Sequence, residues 1–232
     1  MRIVSWNVHR CIGTDQQYNP RRIADVLSSL NADVIALQEI DSSLRAEDGR
    51  DQLTFIASCL GMDAVMGPTL DRDYGAYGNA LLSKFPLQFY EEWDLSYRKS
   101  EPRGAIAAHF ETEGLNIRVI NTHLGLKYWE RSYQISQLIK DTRRFSEECL
   151  ILMGDFNEWF PYWGNNARLE RAFKSARRVA TFPATWPRFA LDRIFLSAPV
   201  LDFSFEVVRT EATRVASDHL PVFADCTFKL EH

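Results

Sequence analysis

Acidic, amide and histidine side chains stand at the ends of several apolar runs in this sequence. Asp155 and Asn157, for example, follow directly after the apolar run 150–153. The full set comprises Asn7, Glu39, Asn121, His123, Asp155, Asn157, Asp192, Asp218 and His219. In a mixed sheet, the end of one strand and the start of its antiparallel neighbour lie on one edge, where α/β proteins usually bind ligands. The sequence therefore predicts that these side chains converge on one rim.

The residue types in this set suit the hydrolysis of a phosphate ester. Carboxylate and amide oxygens without thiolates are the ligands that a hard cation such as Mg²⁺ or Mn²⁺ prefers. An aspartate beside a water held by the cation can act as a base, and imidazoles can donate to phosphate oxygens as charge builds. No Gly-x-Ser-x-Gly motif is present, which favours direct attack by water over a covalent intermediate. Taken singly, each residue also has a structural interpretation as a turn former, a cap or a core histidine.

Composition narrows the class of protein and of partner. The 232 residues are 46% hydrophobic, which predicts one large α/β domain over 1–229. No run approaches the roughly 18 apolar residues that a membrane-spanning helix needs. The net charge of −4 argues against a protein that holds nucleic acid mainly through its phosphates, although a local basic cleft would still serve a nuclease.

The chain start and the cysteines favour a cytoplasmic protein. No basic segment followed by an apolar stretch opens the sequence, so no signal peptide is expected. The four cysteines are irregularly spaced without a Cys-x-x-Cys pair, which favours neither a zinc site nor disulfides and fits a reducing compartment. Residues 230–232 resemble the start of a vector-derived histidine tag, so His232 is not a candidate. A monomer is expected, because nothing in the sequence indicates an oligomer.

Strand and helix signals alternate along the chain. Asn19 followed by Pro20 predicts the start of the first helix, and Gly61 predicts the end of the second. Helices are predicted over 20–30, 51–60 and 128–146, and strands over 2–8, 33–38, 78–83, 104–111, 116–122, 149–154, 191–197, 203–209 and 221–228. A hairpin turn is predicted at Glu113-Gly114. Hairpins mixed with helical crossovers predict two packed mixed sheets with helices outside.

Eight short motifs occur in one order along the chain. They are Ser5-Trp6-Asn7-Val8-His9, Ala36-Leu37-Gln38-Glu39, Gly78-Asn79-Ala80-Leu81-Leu82-Ser83, Arg103-Gly104-Ala105, Asn121-Thr122-His123-Leu124, Gly154-Asp155-Phe156-Asn157, Leu191-Asp192-Arg193-Ile194 and Ser217-Asp218-His219-Leu220-Pro221-Val222. Together they resemble the endonuclease/exonuclease/phosphatase superfamily, which includes pancreatic deoxyribonuclease, apurinic endonucleases, neutral sphingomyelinases and inositol polyphosphate 5-phosphatases. The resemblance implies a four-layer α-β-β-α sandwich and a Mg²⁺- or Mn²⁺-dependent phosphoric ester hydrolase of class EC 3.1.

The resemblance also implies roles for individual residues. The implied metal ligands are Asn7, Glu39 and Asp218. The implied catalytic residues are Asp155 as the base that activates water, Asn157 on the phosphate or leaving group, His219 oriented by Asp192, and His123 as a second phosphate contact. Some branches place a carboxylate beside that second histidine, and the corresponding region here offers Asn79.

Four residues are further candidates for substrate or phosphate contact. They are Asn121, Asn79, Arg103 and His9. His9 is two residues beyond Asn7, so on a continuing strand both side chains would point to the same face. A structural role for His9 is an equal alternative.

The resemblance leaves the substrate open. Loops are predicted over 156–165 and 180–190, which carry the aromatic residues Trp159, Phe160, Tyr162, Trp163, Phe182, Trp186 and Phe189. Such residues stack on bases, rest on a membrane surface or simply pack the loops. The first hypothesis is therefore a phosphoesterase for a lipid or small metabolite, with peripheral membrane contact as an option. The alternatives are a DNA or RNA nuclease and a catalytically silent binding module of the same fold.

Overall fold

The computed structural model describes residues 1–87, 89–112, 115–145, 149–160, 164–175, 178–197 and 200–228. The predicted turn at Glu113-Gly114, the aromatic residues Tyr162 and Trp163, and the residues 230–232 lie outside the described residues.

Twelve strands and five α-helices form within the described part of the chain. In chain order they are β1 (Arg2–Asn7), α1 (Pro20–Leu30), β2 (Val34–Asp41), α2 (Gln52–Leu60), β3 (Asp63–Arg72), β4 (Gly75–Ser83), β5 (Phe89–Asp94), β6 (Gly104–Thr112), β7 (Leu115–His123), α3 (Tyr128–Thr142), β8 (Cys149–Asp155), α4 (Asn166–Ala172), β9 (Lys174–Ser175), β10 (Asp192–Leu196), β11 (Val200–Val207), α5 (Glu211–Ala216) and β12 (Val222–Phe228). Short 3-10 turns cover His9–Cys11 and Arg143–Phe145.

The strands form two mixed sheets. One has the order β11-β12-β1-β2-β4-β3 and the other the order β5-β6-β7-β8-β10-β9. The pairs β1–β2 and β7–β8 are parallel, and the other pairs are antiparallel. One core cluster draws buried apolar residues from both sheets, such as Ala36, Leu81, Val119 and Ile151, so the sheets pack face to face.

Helices cover the outer face of each sheet. A second cluster packs α1 and α2 on the first sheet, and a third packs α3 and α4 on the second. The result is the expected α-β-β-α sandwich. None of the described helices combines the length and the apolarity that a bilayer crossing requires.

Local sequence explains where the first two helices begin and end. The side chain of Asn19 accepts a hydrogen bond from Arg22 N (2.9 Å), and Pro20 occupies the first position of α1. Asp51 caps α2 in the same way through Thr54 N (3.0 Å), and α2 ends at Gly61 with φ 63°. Both helices match their predictions.

The strand registers bring the polar strand ends together. His123 pairs with Asp155, and Asp155 pairs with Asp192, so the ends of β7 and β8 and the start of β10 share one edge. In the other sheet, Asn7 ends β1 beside Gln38 of β2. Because the two sheets stack, both edges face the same rim.

Candidate active site

A cavity of about 250 Å³ opens at this rim. Its lining comprises Glu39, Tyr77, Glu101, Arg103, His123, Leu126, Asp155, Asn157, Trp159, Phe182, Leu191 and His219. Both sheets contribute, because Glu39 and Tyr77 belong to the first and His123 and Asp155 to the second. Phe182 and Leu191 come from the loop before β10.

Asp155 occupies the centre of the polar cluster. Its Oδ1 accepts a hydrogen bond from Asn157 N (2.9 Å), and its Oδ2 accepts one from Asn7 Nδ2 (3.1 Å). The same Oδ2 lies 3.5 Å from His123 Nε2 and 3.6 Å from His219 Nε2. Burial raises the pKa of Asp155 to about 6, even though the neighbouring His219 acts to lower it. This carboxylate can therefore take a proton near neutral pH.

His219 and Asp192 form a buried dyad. His219 Nδ1 lies 2.8 Å from Asp192 Oδ2, and Thr181 Oγ1 donates to the same oxygen (2.5 Å). Burial by itself would lower the pKa of His219, but the charges of Asp192 and Asp155 and the hydrogen bond to Asp192 raise it to about 10. His219 is consequently an imidazolium at neutral pH, with Nε2–H available to an anion.

His123 has the opposite character. Arg103 Nη1 lies 3.3 Å from His123 Nδ1, and Asn157 Nδ2 lies 3.1 Å from His123 Nε2, so each ring nitrogen faces a donor. His123 Nε2 also lies 3.5 Å from Asp155 Oδ2. Burial and the positive charges of Arg103 and His219 lower the pKa of His123 well below its ordinary value. His123 is thus a neutral imidazole with a single N–H.

Asn79 lines a small cavity together with Arg103 and His123. The Asn79 Nδ2 donates to Gly104 O (3.0 Å), and Arg103 contacts the imidazole of His123. Residue order could not reveal the Arg103 contact, because Arg103 immediately precedes strand β6, twenty residues before His123.

Glu39 reaches the cavity through an irregularity in β2. It has φ 61°, and the pairing of β2 with β4 shifts register between Leu37 and Ile40. A positive φ is costly for a residue with a Cβ, so this conformation is held by the surrounding structure. Glu39 Oε1 accepts from Asn7 Nδ2 (2.9 Å), the nitrogen that also donates to Asp155.

The donors around Asn7 fit a divalent cation. Glu39 and Asp155 are carboxylates that flank one amide nitrogen, and within the described residues no arginine or lysine pairs with either. Asp155 faces the His219 imidazolium, whereas Glu39 accepts a hydrogen bond from the Asn7 amide, and carboxylate oxygens are the ligands that Mg²⁺ or Mn²⁺ prefers. In the present rotamer, Asn7 Oδ1 accepts from His9 N (3.0 Å), so this oxygen is already engaged.

A tighter cluster of Asp155, Asp192 and His219 has its ligand atoms within 4.8 Å of one another. Two of these residues are already bonded to each other, and an imidazolium has no lone pair for a metal. We therefore interpret this cluster as the acid–base part of the site. Asp218 is absent from the cavity lining, and its Oδ1 lies 4.0 Å from His9 Nδ1. A metal-binding role for Asp218 stays a prediction.

Two further candidates, Asn121 and His9, do not line the cavity. Asn121 is fully buried: its Nδ2 donates to Leu37 O and Ala80 O (both 2.8 Å), and its Oδ1 accepts from Gln38 Nε2 (2.7 Å). These bonds join the two sheets behind the cavity, and contact of Asn121 with a substrate stays a prediction.

The strand geometry that was expected to orient His9 does not extend to this residue. β1 ends at Asn7, and His9 lies in a 3-10 turn with φ 45°. The two-residue period of a strand therefore does not apply. His9 Nδ1 lies 3.1 Å from Ile12 O, and the residue does not line the cavity.

Several cavity residues had no signal in the sequence. Tyr77 is buried beside Glu39, and burial together with that charge raises its pKa. Thr181 reaches Asp192 from eleven residues away, and Glu101 pairs with Arg103 (3.4 Å). An alternating strand pattern at 75–83 would have pointed to Tyr77, but nothing local marks Thr181.

A family profile and a bacterial relative each match nearly the whole chain. A sequence profile of the Endonuclease/Exonuclease/phosphatase family matches residues 4–219. The uncharacterized protein YbhP of Escherichia coli (strain K12) is 27% identical over 246 residues, which cover 97% of this chain and 95% of YbhP.

Solved structures show the same fold at low identity. A mannosyl-6-phosphatase of Bacteroides thetaiotaomicron superposes with a TM-score of 0.78 at 19% identity, covering 98% of this chain and 100% of its own. The catalytic domain of human Nocturnin, with a bound sulfate anion, gives a TM-score of 0.77 at 20% identity, covering 99% of this chain and 93% of its own.

Proposed function

Because this chain belongs to the endonuclease/exonuclease/phosphatase family, we propose that it is a Mg²⁺- or Mn²⁺-dependent hydrolase of phosphate esters. The observation that carries the proposal is the geometry around one oxygen. Asp155 Oδ2 lies within 3.6 Å of two imidazoles of different charge, and all three side chains line the cavity. A base beside two hydrogen-bond donors suits in-line attack of water on a phosphoryl group.

In the proposed mechanism, Asp155 orients a water and accepts its proton. His219, held as an imidazolium by Asp192, donates Nε2–H to a phosphoryl oxygen and stabilises the developing charge. His123 donates a second, neutral hydrogen bond. Asn157 is fixed for contact with the phosphate by its bond to Leu124 O (2.9 Å).

Glu39 and Asn7, with Asp155 or Asp218, would hold the divalent cation. When bound, the cation polarises the phosphoryl oxygen and lowers the pKa of nearby water. Asn7 Oδ1 already accepts a hydrogen bond from His9 N. This oxygen would therefore bind the cation through its second lone pair, or after the hydrogen bond to His9 N breaks.

For the substrate, we propose the phosphoester of a lipid or small metabolite. The cavity, at about 250 Å³, suits a phosphate and a small attached group, and the net charge of −4 disfavours a long polyanion. One structure of the same fold is named a mannosyl-6-phosphatase, which supports a phosphate ester other than a nucleic acid. A nuclease is the second candidate, favoured by the aromatic side chains Trp159 and Phe182 in the cavity lining, since such rings stack on bases.

The third candidate, a silent binding module, is the least supported. A module that had lost catalysis would be expected to lose the base or its partners. Asp155, His219 and Asp192 are all present and in contact. The monomeric state and the cytoplasmic location are also proposals, and four free cysteines fit a reducing compartment.

The test is hydrolysis of bis-p-nitrophenyl phosphate and p-nitrophenyl phosphate with Mg²⁺, Mn²⁺ or EDTA. We expect cation-dependent turnover that Asp155→Asn lowers by about 10³-fold, because the amide cannot accept the proton. Asp63→Asn, an exposed acid at the start of β3, is the matched control. Equal turnover in the parent and in Asp155→Asn would contradict the proposal. Added salt distinguishes a small-metabolite or lipid phosphoester from a nucleic acid as the substrate. Cleavage of nucleic acid should fall steeply as salt is added, whereas cleavage of a small soluble ester should not.

A further inference from the structure

Large apolar side chains stand exposed around the mouth of the cavity. Trp129 is 73% exposed and Trp186 69% exposed, values that are uncommon for tryptophan. We call this group the aromatic rim, and its members are Leu126, Tyr128, Trp129, Phe160, Trp186 and Phe189. The members lie on the segments that follow β7, follow β8 and precede β10, which all leave the active-site edge of the second sheet.

The aromatic rim is continuous with the catalytic site. Leu126 itself lines the cavity. Trp159 contacts Phe189 (ring centroids 4.9 Å apart) and Phe182 (5.7 Å), and Phe182 lies 4.7 Å from the His219 ring. A phosphate held by His219 would therefore have its attached group beside the rim.

A buried ion pair holds the rim segments in place from below. Arg131 Nη2 and Glu158 Oε1 are 3.3 Å apart, and both side chains are almost fully buried. Arg131 also donates to Leu126 O, while Glu158 accepts from Phe160 N (3.3 Å). The ion pair is hydrogen-bonded to the backbone of both rim segments, and these bonds fix the segments that carry the exposed side chains.

The charge of these loops differs from that of the whole chain. Among the described residues of 95–103, 124–127, 156–165 and 178–191, the exposed cations are Arg98, Lys99, Lys127, Arg178 and Arg188. Arg178 is paired with Glu170, and the one exposed acid of these segments, Glu101, is paired with Arg103. These loops of the second sheet are therefore positive in a protein whose net charge is −4.

Apolar side chains mixed with cations are the composition that lies on an anionic bilayer. Tryptophan and tyrosine prefer the interface, where the ring meets the acyl boundary and the polar atom stays wet. Leu126 cannot stack on a base, which favours lipid over nucleic acid.

We infer that the aromatic rim docks this protein on the surface of a bilayer that contains anionic lipids, with the cavity facing the headgroups. The inference deepens the proposed function, because it makes a lipid headgroup the phosphoester within reach. Docking itself requires no turnover and can be measured separately.

The test is co-sedimentation of the whole protein with phosphatidylcholine vesicles that contain or lack phosphatidylglycerol. We expect binding to the anionic vesicles, and about a tenfold loss of affinity in the double variant Trp129→Ser/Trp186→Ser. Lys127→Gln should weaken binding by about fivefold and make it less sensitive to salt. Phe89→Ser is the matched control, because Phe89 is 53% exposed at the start of β5, away from the cavity edge.

The outcomes separate this inference from the proposed function. Turnover of bis-p-nitrophenyl phosphate without vesicle binding would overturn the docking inference and leave the phosphoesterase. Vesicle binding that the tryptophan variant loses, in a protein without turnover on any ester, would uphold docking and contradict the phosphoesterase. Binding of oligothymidylate that the same variant loses, without vesicle binding, would show that the rim stacks on bases and would also overturn the inference.

Discussion

The two histidines of the site differ in charge because their neighbours differ: His219 is cationic and His123 is neutral. His219 contacts two carboxylates and is held as a cation, whereas His123 contacts a guanidinium and is held neutral. One Asp155 oxygen lies between them. The site therefore combines one charged and one uncharged hydrogen-bond donor beside a single base, which suits a phosphoryl group whose charge changes during attack.

These charges predict the pH profile of kcat/KM. The raised pKa of Asp155 means that the base is protonated below about pH 6, so activity should rise through that range. The raised pKa of His219 means that its proton is kept until about pH 10, where activity should fall. A bound cation beside Asp155 would lower the pKa of both Asp155 and His219, and so move both limbs toward lower pH.

Asp192→Asn should move the basic limb to lower pH, because the charge that raises the pKa of His219 is removed. Rates measured between pH 5 and 11, values chosen to bracket both groups, would show this shift. Asp202→Asn, a carboxyl of strand β11 outside the cavity, is the control. A basic limb that stays in place would mean that His219 is not the acid.

Arg103 sets the state of His123, and this can be measured without turnover. Arg103→Gln removes a positive charge and should raise the pKa of His123 from its lowered value. Titration of the imidazole nitrogens by NMR would report the change, with Arg98→Gln as a control on an exposed arginine of the same loop. An unchanged titration of His123 would show that burial and the charge of His219 keep it neutral without Arg103.

At the scale of elements, strand irregularities aim the site residues. The register shift in β2 turns Glu39 toward Asn7, and Gly154 has φ 146° immediately before Asp155. A Cβ on Gly154 would overlap Thr122 O, so only glycine allows β7 and β8 to approach at this point. The position of the base thus depends on a close contact between two parallel strands.

Gly154→Ala should lower the free energy of unfolding by about 2–3 kcal/mol, from backbone strain and the clash with Thr122. Gly49→Ala isolates the strain, because Gly49 has φ 82° and a Cβ added there would meet no atom within 4 Å. Urea denaturation of both variants would give the difference. Equal losses of unfolding free energy in the two variants would mean that the clash with Thr122 adds nothing to the backbone strain at Gly154.

At the scale of the whole molecule, the site exists only where the two sheets meet. Glu39 and Asn7 come from one sheet and Asp155 from the other, and the hydrogen bonds of Asn7 Nδ2 join them. A cation bound there would link both sheets and stabilise the folded state by mass action.

Mg²⁺ should therefore raise the melting temperature of the protein, and EDTA should abolish the increase. Glu39→Gln should remove most of the effect, because a carboxylate in the proposed ligand set becomes an amide. Glu101→Gln is the control, because Glu101 is an exposed cavity carboxylate that already pairs with Arg103. This variant should keep the Mg²⁺-induced rise in melting temperature. Equal Mg²⁺-induced shifts in both variants would show that Glu39 is not a ligand.

The sequence by itself determined most elements and the principal site residues. The first two helices carry their caps locally, and the polar residues at strand ends mark the rim, because periodicity and capping act over a few residues. β3, β5, β9, α4 and α5 were not predicted. β3 contains Gly67 and Pro68, α4 and α5 have only seven and six residues, and β5 is an edge strand of mostly exposed residues, so local signals are weak.

Tertiary structure alone decided how the site residues meet. Asn121 is a polar residue at a strand end like His123, but its side chain bonds to Gln38 of the other sheet. Arg103 contacts His123, and Thr181 contacts Asp192, from distant segments of the chain. The end of β1 at Asn7 turned His9 away from the cavity. These contacts depend on strand register and on the stacking of two sheets, which bring together residues far apart in the chain, and no local pattern encodes such distances.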